Sequence, residues 1–265
     1  MNNKPIGVFD SGVGGLTVAK CIFESMPNEN IIYLGDTANV PYGTRPQEEI
    51  AQLVLNDVKF LTSFDLKAIV IACNTADAAA REKVEKLYPL PVFGVIAPAA
   101  KKAAESTVNG KIGVIATNAT IESGEYQKNI KKYKPDAQVY GVPCPKLVPL
   151  IEQGKFKKGD KEIKESLSEY LLPLKEKGID TLVLGCTHYP LLHDIAADIL
   201  PSVTLVCSSA AEAETLKTVL EEKNLLNTED GGSRKYFVSG DAESFKRTAE
   251  IIIGDLGGQV EHIQI

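Results

Sequence analysis

Two of the five cysteines stand at matched places in the chain. In Thr181-Leu182-Val183-Leu184-Gly185-Cys186-Thr187-His188-Tyr189-Pro190, an aliphatic run suits a buried strand and is too short for a helix. Gly185 lets the chain turn and delivers Cys186, Thr187 and His188 in a row, and Pro190 suits the first turn of a following helix. Ala68-Ile69-Val70-Ile71-Ala72-Cys73-Asn74-Thr75 repeats the design: strand, small residue, thiol, then polar residues able to cap a helix. A thiol at that place meets the positive end of a helix dipole, which favours the thiolate.

Such a pair is open to three chemistries. A metal site needs more ligands, and only His188 lies near Cys186, with no C-x-x-C in the chain. A Cys-His hydrolase could use Cys186 with His188 but leaves Cys73 without a role. In the third, one thiolate takes a proton from a carbon and the opposite thiol returns one to the other face, inverting a stereocentre. Cys21, Cys144 and Cys207 read as small buried hydrophobes.

The elements that position the thiols alternate. Strands are expected at 5–9, 31–34, 68–72, 92–96, 111–117, 137–142, 181–184 and 203–206, with helices at 16–26, 47–61, 76–87, 98–105, 121–133, 159–177 and 191–199, and a last one capped by Ser208-Ser209 and running to 222. Lys111-Ile112-Gly113-Val114-Ile115-Ala116-Thr117 can be laid on Pro5-Ile6-Gly7-Val8-Phe9-Asp10-Ser11, pairing Ser11 with Thr117 and Cys73 with Cys186. The fold class expected is α/β: two pseudo-symmetric domains, each a mostly parallel sheet flanked by helices, with the active site in the cleft between them. The tail (a strand near 236–238, a helix at 242–253, an edge strand at 260–263) has no counterpart in the second half and is expected on the first domain. That domain is therefore 1–97 plus 208–265, and the second is 98–207. Asp10-Ser11-Gly12-Val13-Gly14-Gly15 reads either as an anion-cradling loop or as a tight turn.

Composition narrows the class. With 265 residues, 44% of them apolar, and a net charge of -6, the chain can bury a large core and offers no basic stripe for nucleic acid. The start lacks the apolar stretch of a secretory signal, and no later run spans a membrane, so a soluble cytoplasmic protein is expected. Five widely spaced cysteines imply no disulfide framework.

Asp10-Ser11-Gly12-Val13-Gly14-Gly15-Leu16-Thr17, Gly35-Asp36-Thr37, Pro41-Tyr42-Gly43, Ala72-Cys73-Asn74-Thr75-Ala76 and Gly185-Cys186-Thr187-His188-Tyr189-Pro190-Leu191 together resemble the glutamate racemase family, within the wider aspartate/glutamate racemases. The resemblance is ordered along nearly the whole chain. It implies a cofactor-independent enzyme that interconverts L- and D-glutamate and supplies D-glutamate for peptidoglycan. It implies that Cys73 acts on the D-enantiomer and Cys186 on the L-enantiomer, with Asp10 assisting the first, His188 the second, and Glu152 a further carboxylate on the second side. Substrate contacts carried over are Ser11, Tyr42, Gly43, Asn74 and Thr75 from the first half, with Asp10. Thr117, Thr120, Thr187 and His188 supply those of the second. No metal and no cofactor are implied, and a homodimer is. From the residues alone, Asp10 also suits a turn and His188 also suits a helix cap. Asp77, where the family usually has Thr or Ser, and Asn39-Val40 before Pro41, where Arg is common, depart from the pattern. A racemase for aspartate or a related amino acid, and a non-catalytic amino-acid-binding protein, are the alternatives.

Overall fold

The computed structural model describes residues 2–265; Met1, the first residue of the expected first domain, lies outside the described residues. The chain opens with β1 (Ile6–Asp10), α1 (Leu16–Ser25), β2 (Ile31–Gly35), α2 (Gln47–Leu61), β3 (Ala68–Ile71), α3 (Asn74–Leu87) and β4 (Val92–Gly94). It continues through α4 (Ile96–Ser106), β5 (Lys111–Ala116), α5 (Asn118–Glu122), α6 (Glu125–Tyr133), β6 (Gln138–Pro143), α7 (Leu147–Glu152) and α8 (Lys161–Glu176). It closes with β7 (Thr181–Gly185), α9 (His193–Ile199), β8 (Thr204–Cys207), α10 (Ser208–Glu222), β9 (Arg234–Val238), α11 (Ala242–Ile253) and β10 (Gln259–His262). Single 3-10 turns lie at Tyr42–Thr44 and Tyr189–Leu192.

The strands form two sheets, ordered β10-β9-β2-β1-β3-β4 and β6-β5-β7-β8. Every pairing is parallel. The second order reproduces the β2-β1-β3-β4 part of the first, which is the repeat expressed as topology. The strands β9 and β10 extend the first sheet beyond β2.

Both faces of each sheet are covered, so the central strands alternate between two cores. Ile6 and Val8 of β1, with Ala68 and Val70 of β3, face one core, while Phe9, Ile69 and Ile71 face the other. In the second sheet Leu182 and Leu184 of β7 pack with Ile115, while Val183 packs with Ile112 and Val114. Each fully buried Val, Ile or Leu contributes about 1.5–3 kcal/mol, and a one-residue slip would turn all of them to the wrong face. The register that places the ends of β1, β3, β5 and β7 is therefore fixed by apolar packing.

Several expected elements differ. The helix expected at 121–133 is two, α5 and α6, broken where Gly124 takes φ 68. The helix α3 begins at Asn74 rather than 76, so Asn74 and Thr75 form its first turn and Cys73 occupies the cap position. Ser208 and Ser209, expected as caps, are the first residues of α10, and Ser208 Oγ instead donates to Leu184 O at 3.3 Å. The helix expected from 191 starts at His193, after the turn Tyr189–Leu192 that holds Pro190. Among the described residues, no helix is long and apolar enough to cross a membrane.

Candidate active site

Open parallel sheets bind ligands beyond the carboxyl ends of their strands, where the connections from neighbouring strands diverge. In the first sheet that point lies between β1 and β3, which run on to Ser11 and Cys73. In the second it lies between β5 and β7, which run on to Thr117 and Cys186. All four residues line one cavity of about 290 Å³. The two thiols, each 6% exposed, stand on its walls, one from each sheet.

On the first wall Cys73 Sγ lies 3.4 Å from Ser11 Oγ. Burial pushes this thiol up to about 12, and the Asp10 carboxylate adds to the rise. The Ser11 hydroxyl and the Ala76 N–H at the start of α3 oppose it without prevailing. This corrects the expectation that the helix N-terminus would favour the thiolate at Cys73, because desolvation is the larger effect.

Asp10 is fully buried. Its Oδ1 accepts from Gly12 N–H at 2.8 Å, which is the turn role, while Oδ2 accepts from Thr187 Oγ1 of the other half at 3.3 Å. Burial raises its pKa, and the charge of His188 and the Gly12 N–H work against that rise. The glycine loop permits close approach here: a Cβ on Gly14 would collide with Thr187 Oγ1 and His188 Nδ1. Thr17 Oγ1 then donates to Thr187 O at 2.8 Å, a second tie between the halves.

On the second wall, His188 Nδ1 lies 3.8 Å from Cys186 Sγ and Nε2 lies 3.1 Å from Glu152 Oε1. Burial opposes a charge on this imidazole. Hydrogen bonds to Cys186 and Glu152, with the negative charges of both, outweigh burial and raise it from 6.5 to about 10. His188 is thus an imidazolium at neutral pH, flanked by sulfur and carboxylate. A helix-cap role for it is not seen, since its side chain caps no N–H of the turn that follows.

Between the walls Thr75, Thr117 and Thr120 form a triangle of hydroxyls, with oxygen separations of 2.9 Å (75–117), 3.2 Å (75–120) and 2.9 Å (117–120). Asn74 Oδ1 accepts from Tyr126 Oη at 2.6 Å, another link across the halves. Gly43, Thr75, Thr117 and Thr187 line the cavity, as do Asn74 and Glu152. Tyr42 lines it too, but its hydroxyl is engaged with Asp36 Oδ2 at 2.6 Å. Of the residues singled out in the sequence, Asp10 and Thr120 stand behind the lining, each bonded to residues within it.

An apolar side of the cavity was not foreseen from the sequence. Cys144, Pro145, Val148 and Pro149 also line it. The Pro143-Cys144-Pro145 stretch preceding a short apolar helix was the available signal, and a buried thiol by itself carries none. Among the described residues, no lysine or arginine lines the cavity. An anionic ligand there would be held by hydroxyls, amides and backbone N–H groups.

Two parallel α/β halves meeting at this cavity agree with the comparison of the sequence to known families. The pattern of the Asp/Glu/Hydantoin racemase family matches residues 6–216, and the chain belongs to that family, which places it among the isomerases. Within the family the similarity is to glutamate racemases. The chain is 45% identical over 266 residues to the glutamate racemase of Thermoanaerobacter pseudethanolicus, covering 100% of this chain and 99% of that one. A crystal structure of a glutamate racemase isoform from Bacillus anthracis shares 39% identity at a TM-score of 0.96, covering 100% and 99% of the two chains. The glutamate racemase of Francisella tularensis in complex with D-glutamate shares 37% identity at a TM-score of 0.93, covering 100% and 98%.

Both departures from the family pattern have structural partners. Asp77 Oδ2 accepts from Ile96 N–H at 2.7 Å, holding the start of α4, where the chain crosses to the second sheet. Asn39 Nδ2 donates to Asp36 Oδ1 at 3.0 Å.

Proposed function

We propose that the protein interconverts L- and D-glutamate by moving the Cα proton between two thiols, without metal or cofactor. The observation that carries this is that Cys73 and Cys186 line one cavity, one from each sheet and each beyond an equivalent strand. Cys73 is held as the thiol, the donor state, and an imidazolium faces Cys186. That arrangement is set for L-glutamate. The Cys186 thiolate takes the Cα–H from one face, and Cys73 gives its S–H proton to the other, leaving D-glutamate, a Cys73 thiolate and a Cys186 thiol.

The reverse turnover begins from those exchanged states. A thiolate at Cys73, once formed, is a strong base, because burial and the Asp10 charge both raise the pKa of its conjugate acid. Asp10 assists Cys73 through this charge, and His188, held by Glu152, assists Cys186. The hydroxyls of Ser11, Thr75, Thr117 and Thr187, with Asn74 and the Tyr42-Gly43 segment, serve the carboxylates and ammonium of the substrate, and Thr120 holds Thr75 and Thr117 from behind. The two domains we assign are 1–97 plus 208–265 and 98–207, which divide the chain at the crossings near the start of α4 and before α10. On the likeness to glutamate racemases we further assign it a cytoplasmic place, a homodimeric state and the supply of D-glutamate to peptidoglycan.

Circular dichroism of purified protein with L-glutamate, and separately with L-aspartate, tests the activity. We expect the L-glutamate signal to decay to zero with no added cofactor while the L-aspartate signal persists. Persistence of both would contradict the proposal, and decay of the aspartate signal alone would move it to another substrate.

A further inference from the structure

Tyr42 Oη lies 2.6 Å from Asp36 Oδ2 and 3.0 Å from Asp57 Oδ2, yet a phenol has one hydrogen. The shorter contact takes it. Asp36 is the natural acceptor, since its other oxygen already accepts from Asn39 Nδ2 at 3.0 Å and Ser239 Oγ at 2.6 Å. The contact to Asp57 then has no hydrogen unless Asp57 supplies one. Asp57 is 1% exposed, on the inner face of α2 beside Val54, Val58 and Leu61. Its titratable neighbours are Asp36, from the loop after β2, and Tyr42, from the 3-10 turn. Among the described residues neither acid pairs with a basic side chain, and Arg45 is occupied by Asn39 O and Glu49. Burial and the Asp36 charge push Asp57 up to about 8 even when the Tyr42 hydroxyl donates to it, and more so when that hydrogen goes to Asp36.

We propose that Asp57 is a positioning residue for racemisation: a neutral carboxylic acid that donates to Tyr42 Oη and so fixes the Tyr42–Thr44 turn against the cavity. The inference rests on reading that cavity as the racemisation site. The turn is a cavity wall, since Tyr42, Gly43 and Thr44 all line it. It also leans on the opposite half: a Cβ on Gly43 would fall 2.8 Å from Thr117 Cβ. With the proton in place, the chain Asp57–Tyr42–Asp36–Ser239 ties α2, the turn, the β2 loop and the end of β9 together. Without it, two buried carboxylates compete for one phenolic hydrogen, and the turn loses an anchor.

The test is KM and kcat for L-glutamate across neutral to alkaline pH in the wild type, Asp57→Asn and Asp57→Ala. In the wild type KM should rise as pH passes about 8. Asp57→Asn is neutral at every pH and can donate from Nδ2, so it should keep neutral-pH kinetics and lack that rise. Substrate and thiol ionisations are common to both proteins, so the difference between the profiles isolates Asp57. Asp57→Ala should raise KM at neutral pH by roughly tenfold, with a smaller change in kcat. If Asp57→Ala does not fold, the Asp57→Asn profile decides alone. An Asp57→Asn profile that follows the wild type, with the wild type racemising, overturns this role alone. A wild type with no racemase activity overturns the reading of the site and this role with it.

Discussion

The two thiols differ in what surrounds them. Cys73 has a hydroxyl beside it and a buried carboxylate acting by charge, whereas Cys186 has an imidazolium. Glu152 holds that imidazolium from its far side by hydrogen bond and charge. Glu152→Gln keeps an acceptor but removes the charge, so the His188 midpoint should fall from about 10 toward 6.5. Each unit of that fall is about 1.4 kcal/mol of lost preference for the charged form. The sign follows from His188 being charged below its midpoint: the alkaline limit of proton abstraction from L-glutamate should move to lower pH. NMR titration of the His188 ring checks it, and an unchanged midpoint would show that Glu152 is not what holds the proton. Cys73, Cys186 and His188 were legible in the sequence because each follows an aliphatic run that can only be a buried strand. The state of the Cys73 proton was not legible. It depends on desolvation by both halves, which no local pattern records.

At the scale of elements, the loop from β1 to α1 is a close seam between the halves. Its glycines serve approach as well as turning, since Gly14 sits where any side chain would strike Thr187 and His188. Gly14→Ala should force the loop off the β7 wall, costing about 1–3 kcal/mol, and should lower kcat/KM well beyond what that destabilisation explains. Thermal unfolding and steady-state kinetics of the same preparation check it; wild-type kinetics would mean that the seam tolerates a methyl. The strand and helix alternation was readable because parallel strands buried on both faces are short continuous apolar runs. Helix starts shifted by one or two residues, since Asn74 and Ser208 suit a cap and a first turn equally well. The Thr75–Thr117–Thr120 triangle and the Asp57–Tyr42–Asp36 chain were invisible as units. Their partners are brought together by sheet topology, not by spacing.

For the molecule as a whole, the proposed inversion of a stereocentre draws on the repeat. A flat Cα intermediate must be reached from both faces, and two halves with the same strand order each bring one thiol to a shared cavity. The ties Asp10–Thr187, Thr17–Thr187 and Asn74–Tyr126 hold the halves at that separation. The proposed inversion in this cavity uses two independent proton carriers. The direct measurement is racemisation of L-glutamate in heavy water, stopped at low conversion, with mass spectrometry of the separated enantiomers. The D-glutamate formed should carry deuterium at Cα from the first turnovers, because its donor, Cys73, has equilibrated with solvent, while unreacted L-glutamate stays largely protium. Substantial protium at Cα of the product would mean that one group both removed and returned the proton, and would contradict the two-thiol account.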